Sequence, residues 1–242
     1  PGRPSSPLSR RQRSLVKPLH FASGILSVAA SAWACFLMLA PVAAHAAEIE
    51  RQGRLLLVSG MLDGSELASF IDHLNSGTVR TVVLEDSLGG TAEAAGAYAD
   101  AIRASGVETE VRGQCMAACA YAFLAGKTHR FSDGFQVNGL MLPVAARPTA
   151  AELAVRWRDD AHRTPADFTT GANAPKVIEA SADGRGAHDN WQPEHGVLFT
   201  ASPSLFGRIY NAFYCDGTQG RDFSKCERLP DADPFKLGVL TP

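Results

Sequence analysis

Cys115 and Cys119 lie four residues apart, a spacing that brings two side chains to one face of a helix. A thiolate at a helix N-terminus has a depressed pKa and is nucleophilic, so nucleophilic chemistry is one reading of the pair. A disulfide is another, although a bridge within a regular helix strains its geometry. Zinc is a third, without the short CxxC spacing of structural zinc sites. Upstream, Gly89-Gly90 follows an apolar run and precedes an Ala-rich one. Such a pair permits unusual dihedrals and close approach to a ligand, or serves only a tight turn. Ser87 carries a hydroxyl but precedes that turn. His188, Asp189 and His195 fall in a stretch rich in Gly, Pro and Asp, and read as solvated loop residues rather than metal ligands. There is no Walker pattern and no GxGxxG. No metal and no cofactor is expected.

The elements around these residues must bring them together. Arg80–Glu85 reads as a strand, Asp86–Gly90 as a turn, and a small-residue helix follows with Ala94, Ala95, Tyr98, Ala101 and Ile102 on one side. Gly106 stops it. Glu108–Arg112 is the next strand and leads through Gly113 to an all-apolar helix, Met116–Ala125. Two successive strand-to-helix turns set two groups of backbone N–H side by side, where they can face one ligand oxygen. Arg54–Ser59, Thr128–Phe131 and Phe135–Leu142 read as further strands and Glu66–Asn75 as a helix. Strands alternating with helices predict an α/β layer with parallel strands and right-handed crossovers. Beyond Pro143, Thr149 and Glu152 predict a capping box for a helix over Thr149–Asp160. Ala161–Gly196 reads as irregular. A last helix is expected over Ser204–Tyr214, from the spacing of Leu205, Phe206, Ile209, Tyr210 and Phe213. The tail after Cys226 carries three prolines and little regular structure.

Residues 1–20 are basic, Phe21–Ala44 is uncharged and mostly apolar, and Ala44-His45-Ala46 is a small-x-small site. That order predicts a secretory signal peptide over 1–46; an uncleaved membrane anchor is the alternative. The reading divides the chain into the signal, a core over 47–145, and a helical and irregular extension of the same domain over 146–242. The expected location is periplasmic or secreted. Without the five N-terminal basic residues, 18 basic residues stand against 25 acidic ones, a formal charge of −7. Nucleic acid and anionic membrane surfaces are not expected partners. Cys215 and Cys226 flank a short polar loop, and an oxidising compartment favours a local disulfide between them.

The segments Ser87-Leu88-Gly89-Gly90 and Cys115-Met116-Ala117-Ala118-Cys119, with Ala120–Gly126 and Arg130 after them, stand in an informative order. Over roughly residues 53–142 the chain resembles the Clp protease/crotonase superfamily, in particular its exported Clp-protease-like members. The family pattern is Ser-Pro-Gly-Gly, an Ala-rich helix, then Cys-x-Ser-Ala-Cys. The resemblance implies a ClpP/crotonase-like parallel sheet with crossover helices, and an oxyanion hole made by the amides of Gly89, Gly90 and Ala118. It places the family's nucleophile at position 117 and its general-base His on the strand after. Here the first is Ala117, and Phe135–Pro143 holds no His. The Pro of the glycine turn is Leu88. The implied protein has kept the amides and lost the reagents. It would bind an extended peptide or a small carbonyl ligand and assemble with itself. The alternative is a serine- or cysteine-type peptidase-like hydrolase with an unassigned nucleophile, such as Cys115 or Cys119. Crotonase-type acyl-CoA chemistry needs only an oxyanion hole and an acid/base, but export away from CoA argues against it.

Overall fold

The computed structural model describes residues 46–157, 195–219 and 222–242. The signal segment, the stretch carrying His188 and Asp189, and the end of the helix expected over 149–160 lie outside them. Among the described residues nine strands form a single mixed sheet, which makes this an α/β protein.

The centre of the sheet is parallel. β2 (Leu55–Ser59), β3 (Thr81–Ser87), β4 (Glu108–Met116) and β6 (Asn138–Pro143) run side by side, and short β5 (His129–Phe131) pairs with the start of β4. Their apolar runs are buried, as a parallel sheet requires. α1 (Leu67–Asn75) and α2 (Ala92–Ser105) link β2 to β3 and β3 to β4, and α3 (Ala118–Phe123) follows β4. Thr91 caps α2 by accepting a hydrogen bond from the Ala94 amide at 3.1 Å, and Gly106 ends it in the left-handed region at φ 63°. Every residue of α3 is buried, which accounts for its lack of a polar face.

Antiparallel strands flank this centre. β1 (Glu48–Gln52) pairs with β2 at one edge. It is mostly exposed and charged, a composition that protects an edge from pairing with other chains and hides a strand from hydropathy alone. At the other side β7 (Gly196–Ser204) pairs with β6, and β8 (Gly207–Cys215) with β7. Two-residue β9 (Glu227–Arg228) closes part of the outer edge.

The helix expected over Ser204–Tyr214 is therefore a hairpin. Its i, i+3, i+4 spacing is coincidental: Leu205 and Phe206 are 96% and 100% exposed and belong to no core face. Tyr210, Phe213, Tyr214 and Ile209 favour a pleated strand, and Gly207 at φ 124° supplies the turn. Among the described residues the extension over 146–242 contributes β7, β8 and β9 to the same sheet, and its last expected helix is replaced by the β7–β8 hairpin. The Thr149–Glu152 capping box does form, and the Thr149 amide and hydroxyl hold the Glu152 carboxyl below its usual pKa. The helix it opens, α4 (Ala150–Leu153), is only one turn long. The tail is irregular, yet Leu229, Leu237, Val239 and Leu240 are buried. It crosses to β5, where the Thr241 amide donates to the His129 carbonyl and His129 Nδ1 lies 2.8 Å from the Val239 carbonyl.

Candidate functional site

The site sits where β3 and β4 end. Their parallel register pairs Ser87 with Cys115. Gly90 and Ala118 each follow three residues later, so both turns leave the same edge of the sheet from adjacent strands. The last paired residues are reached through a bulge. Asp86 and Gly113 both have positive φ, at 46° and 70°. The Asp86 carboxylate accepts from the Gln114 amide at 3.1 Å, and buried Asn138 accepts from the Gly113 amide at 2.8 Å while donating to the Ser132 carbonyl. Neither Asp86 nor Asn138 stands out in the sequence. The readable signal was Asp before a glycine turn, since Asp tolerates the left-handed region.

Gly89 and Gly90 have φ of 131° and 152°. A Cβ at Gly90 would lie 2.1 Å from the Leu62 carbonyl oxygen. Here the backbones clasp: the Leu62 amide donates to the Gly89 carbonyl at 2.9 Å, and the Thr91 amide to the Leu62 carbonyl at 3.0 Å. The glycine pair thus serves a close backbone contact. The contact uses the Gly89 carbonyl and the Thr91 amide, and leaves the Gly90 amide unused. Among the described residues neither the Gly90 nor the Ala118 amide has an acceptor. Gly90 and Ala118 are both buried, so a polar group arriving there would find donors that water does not serve.

Between strand and helix stands Ala117, at φ 48° and ψ −104°. This is an uncommon conformation for a residue with a side chain, costing about 1–3 kcal/mol. A strained strand-to-helix turn of this type lifts a nucleophile above a sheet in hydrolases. Here it lifts a methyl group that is 2% exposed. The Ala117 amide donates to the Met141 carbonyl at 3.0 Å, and its carbonyl accepts from the Tyr121 amide.

Cys115 and Cys119 are joined in a disulfide across the elbow, and both are fully buried. Of the readings left open for this pair, the bridge is the one formed, and free thiols at Cys115 and Cys119 are not present. The pair can bridge because Cys115 still belongs to β4 and only Cys119 lies in α3; they are not two positions of one regular helix. Cys215 and Cys226 are bridged as well. Ser87 is fully buried, and its hydroxyl donates to the Gly89 carbonyl at 3.3 Å.

The His129 and His195 rings are both bonded to residues other than Ala117. His129 is level with Thr109 on β4, six residues before Cys115, or about 20 Å away along the strand. His195 Nδ1 lies 2.7 Å from the Tyr214 hydroxyl. The His195 carbonyl accepts from the Val144 amide just past β6, so its backbone stands two strands from β4, about 10 Å off across the sheet. Burial, then the charge of Asp216, raises the Tyr214 pKa. His195 is thus a partnered residue rather than a solvated one.

Among the described residues no group of three His, Cys, Asp or Glu is placed to hold a metal, and no helix is long and apolar enough to cross a membrane. The sequence matches no protein-family model and no curated protein. Its fold overlaps in part with solved structures. One is an enoyl-CoA hydratase from Mycobacterium avium subsp. paratuberculosis K-10, at 12% identity and a TM-score of 0.30, covering 48% of this chain and 52% of that one. Another is an enoyl-CoA hydratase/isomerase family member, at 14% identity and a TM-score of 0.29, covering 39% and 50%. ThnE from S. clavuligerus overlaps at 15% identity and a TM-score of 0.28, covering 40% and 51%. The chain spans about half the length of the solved structures it matches. The described residues form an α/β protein with two disulfides and an alanine at the turn from β4 into α3.

Proposed function

We propose that this is an exported protein of the Clp-protease/crotonase type that has lost its catalytic pair, and that its remaining amides hold a carbonyl or carboxylate oxygen of an extended peptide or small ligand. The observation that carries this reading is the elbow at Ala117. Its backbone keeps a costly conformation, the neighbouring Gly90 and Ala118 amides lack acceptors, and the residue at its tip has no group that can attack. In a buried setting an amide–oxygen hydrogen bond is stronger than in water, and such donors bind an oxyanion or a carboxylate whether or not chemistry follows. The cysteine form of the hydrolase alternative loses its reagent to the Cys115–Cys119 bridge. Export is supported by the basic-apolar-small N-terminal order and by both disulfides.

The test restores what is missing. Leu142 follows Met141, whose carbonyl holds the Ala117 amide, so an imidazole there is nearest to the elbow. Neither the native chain nor Ala117→Ser alone should react with a fluorophosphonate serine probe. Ala117→Ser with Leu142→His should be labelled, because a hydroxyl needs a base to become a nucleophile. Labelling of the native chain would end the non-catalytic reading.

A further inference from the structure

The two peptide planes on either side of Ala117 are anchored to different parts of the fold. The plane before it is tied to β6, where the Ala117 amide donates to the Met141 carbonyl at 3.0 Å. The plane after it is tied to α3, where the Ala117 carbonyl accepts from the Tyr121 amide at 3.0 Å. The dihedral angles of Ala117 therefore record how the start of α3 is set against the sheet, and they take the costly values φ 48° and ψ −104°. The Cys115–Cys119 bridge ties the same two parts, from the end of β4 to the first turn of α3, with Ala117 inside its ring. The rest of α3 is held separately. The Thr109 hydroxyl donates to the Phe123 carbonyl at 2.6 Å, and Arg103 donates to the Tyr121 hydroxyl at 3.1 Å. Opening the bridge thus frees the first turn of α3 without releasing the remainder. Cys215–Cys226 differs. Among the described residues of the loop it closes, the only positive φ is at Gly217, where no Cβ is penalised.

We propose that the Cys115–Cys119 bridge is a redox latch on the elbow. Closed, it holds Ala117 at positive φ; reduced by a dithiol, it lets the elbow relax and turns the Ala118 amide out of line with that of Gly90. What the latch controls rests on the reading of those amides as the ligand's donors, whereas the latch itself does not. One thiolate of the dithiol attacks a bridge sulfur, forming a mixed disulfide and releasing the other cysteine as a thiolate. The second thiol of the reductant then displaces the remaining cysteine. Two electrons and two protons pass to the chain, which carries Cys115 and Cys119 as thiols, and the reductant leaves as a disulfide. Both sulfurs belong to fully buried residues, so exchange proceeds as the first turn of α3 opens. The closed form is the resting one in an oxidising compartment. Latch and strain are linked reciprocally: a bridge that holds Ala117 in a costly conformation is itself weakened by the same amount.

Equilibration in dithiothreitol buffers of graded reduced-to-oxidised ratio tests the latch, with thiols trapped and each bridge counted by mass spectrometry. The native chain is compared with Ala117→Gly, because glycine takes positive φ without a steric cost. The expected result is that Cys115–Cys119 in the variant withstands a ratio about threefold or more higher, while Cys215–Cys226 is unmoved. The reduced native chain should keep its circular dichroism, and the backbone couplings of Ala117 should then report negative φ. Equal resistance in the two chains overturns the proposal, since the fold and not the bridge would hold the strain. An equal shift at both bridges overturns it too, as does loss of circular dichroism on reduction or an Ala117 that stays at positive φ; each makes the bridge a staple. No ligand enters these measurements, so they stand whichever way labelling of the native chain by the serine probe turns out.

Discussion

The ends of β4 and β8 solve opposite problems. At the end of β4 the chain turns inside the core: Gly90 touches the Leu62 backbone, Ala117 accepts a strained conformation, and a buried disulfide spans the turn. Where β8 begins, the chain turns in solvent, Gly207 relieves the backbone, and the large apolar residues face outward. A turn under constraint stores strain and keeps its donors dry. A turn without constraint exposes its surface to other molecules. The first arrangement suits recognition of one oxygen atom, the second recognition of a surface.

The strongest way to break the contrast is Gly90→Ala. A methyl group 2.1 Å from the Leu62 carbonyl oxygen meets backbone that cannot yield as a flexible side chain would. Urea unfolding should show a loss of about 3 kcal/mol or more, or no folded protein. An alanine tolerated at that position would mean that the clasp is loose.

Ala117→Gly sharpens the same contrast with the opposite sign. Glycine adopts positive φ without a Cβ penalty, so the variant should gain up to about 1 kcal/mol, after the greater chain entropy of glycine is set against the relieved strain. Loss of stability in urea melts would show that the elbow is not a reservoir of strain.

The smallest effect is expected at Tyr98, buried on α2 against Phe70. Among the described residues its hydroxyl has no hydrogen-bond partner. Burial, followed by the charges of Asp63 and Glu66, pushes its pKa from 10 to about 12. Folding favours the protonated form. Its contribution is therefore fully present below pH about 10 and is lost as pH rises toward about 12. Tyr98→Phe should be neutral to stabilising by about 1 kcal/mol at pH 7. Its stability should also fall less steeply than that of the native chain over the alkaline range. Identical alkaline profiles would show that the hydroxyl finds a partner in solution.

The parallel half was readable because its signals agree. TVVL and RLLLVS are short apolar runs, Gly106 marks a helix end, and the Ser87–Gly90 and Cys115–Cys119 segments lie at informative spacing. The β7–β8 hairpin was not, because Leu205, Phe206 and Ile209 are apolar without being core, so their helical spacing reported no buried face. β1 was missed for the converse reason: EIERQ is polar and still pairs. At the site, the glycine pair and the vacancy at Ala117 could be read directly. The bulge through Asp86, Gly113 and Asn138 could not, because it depends on contacts between residues 86, 113 and 138 that no local pattern encodes. The disulfide at the elbow stayed open because it depended on where the helix begins.

The bond from Thr241 to His129 has a consequence for how the molecule is made. β5 lies near the middle of the chain, yet its outer carbonyl and the imidazole Nδ1 meet residues more than a hundred positions later. Until those residues arrive, the His129 carbonyl and ring are left to solvent. The core around β5 can therefore close only once residues 239–241 are in place, wherever the chain folds.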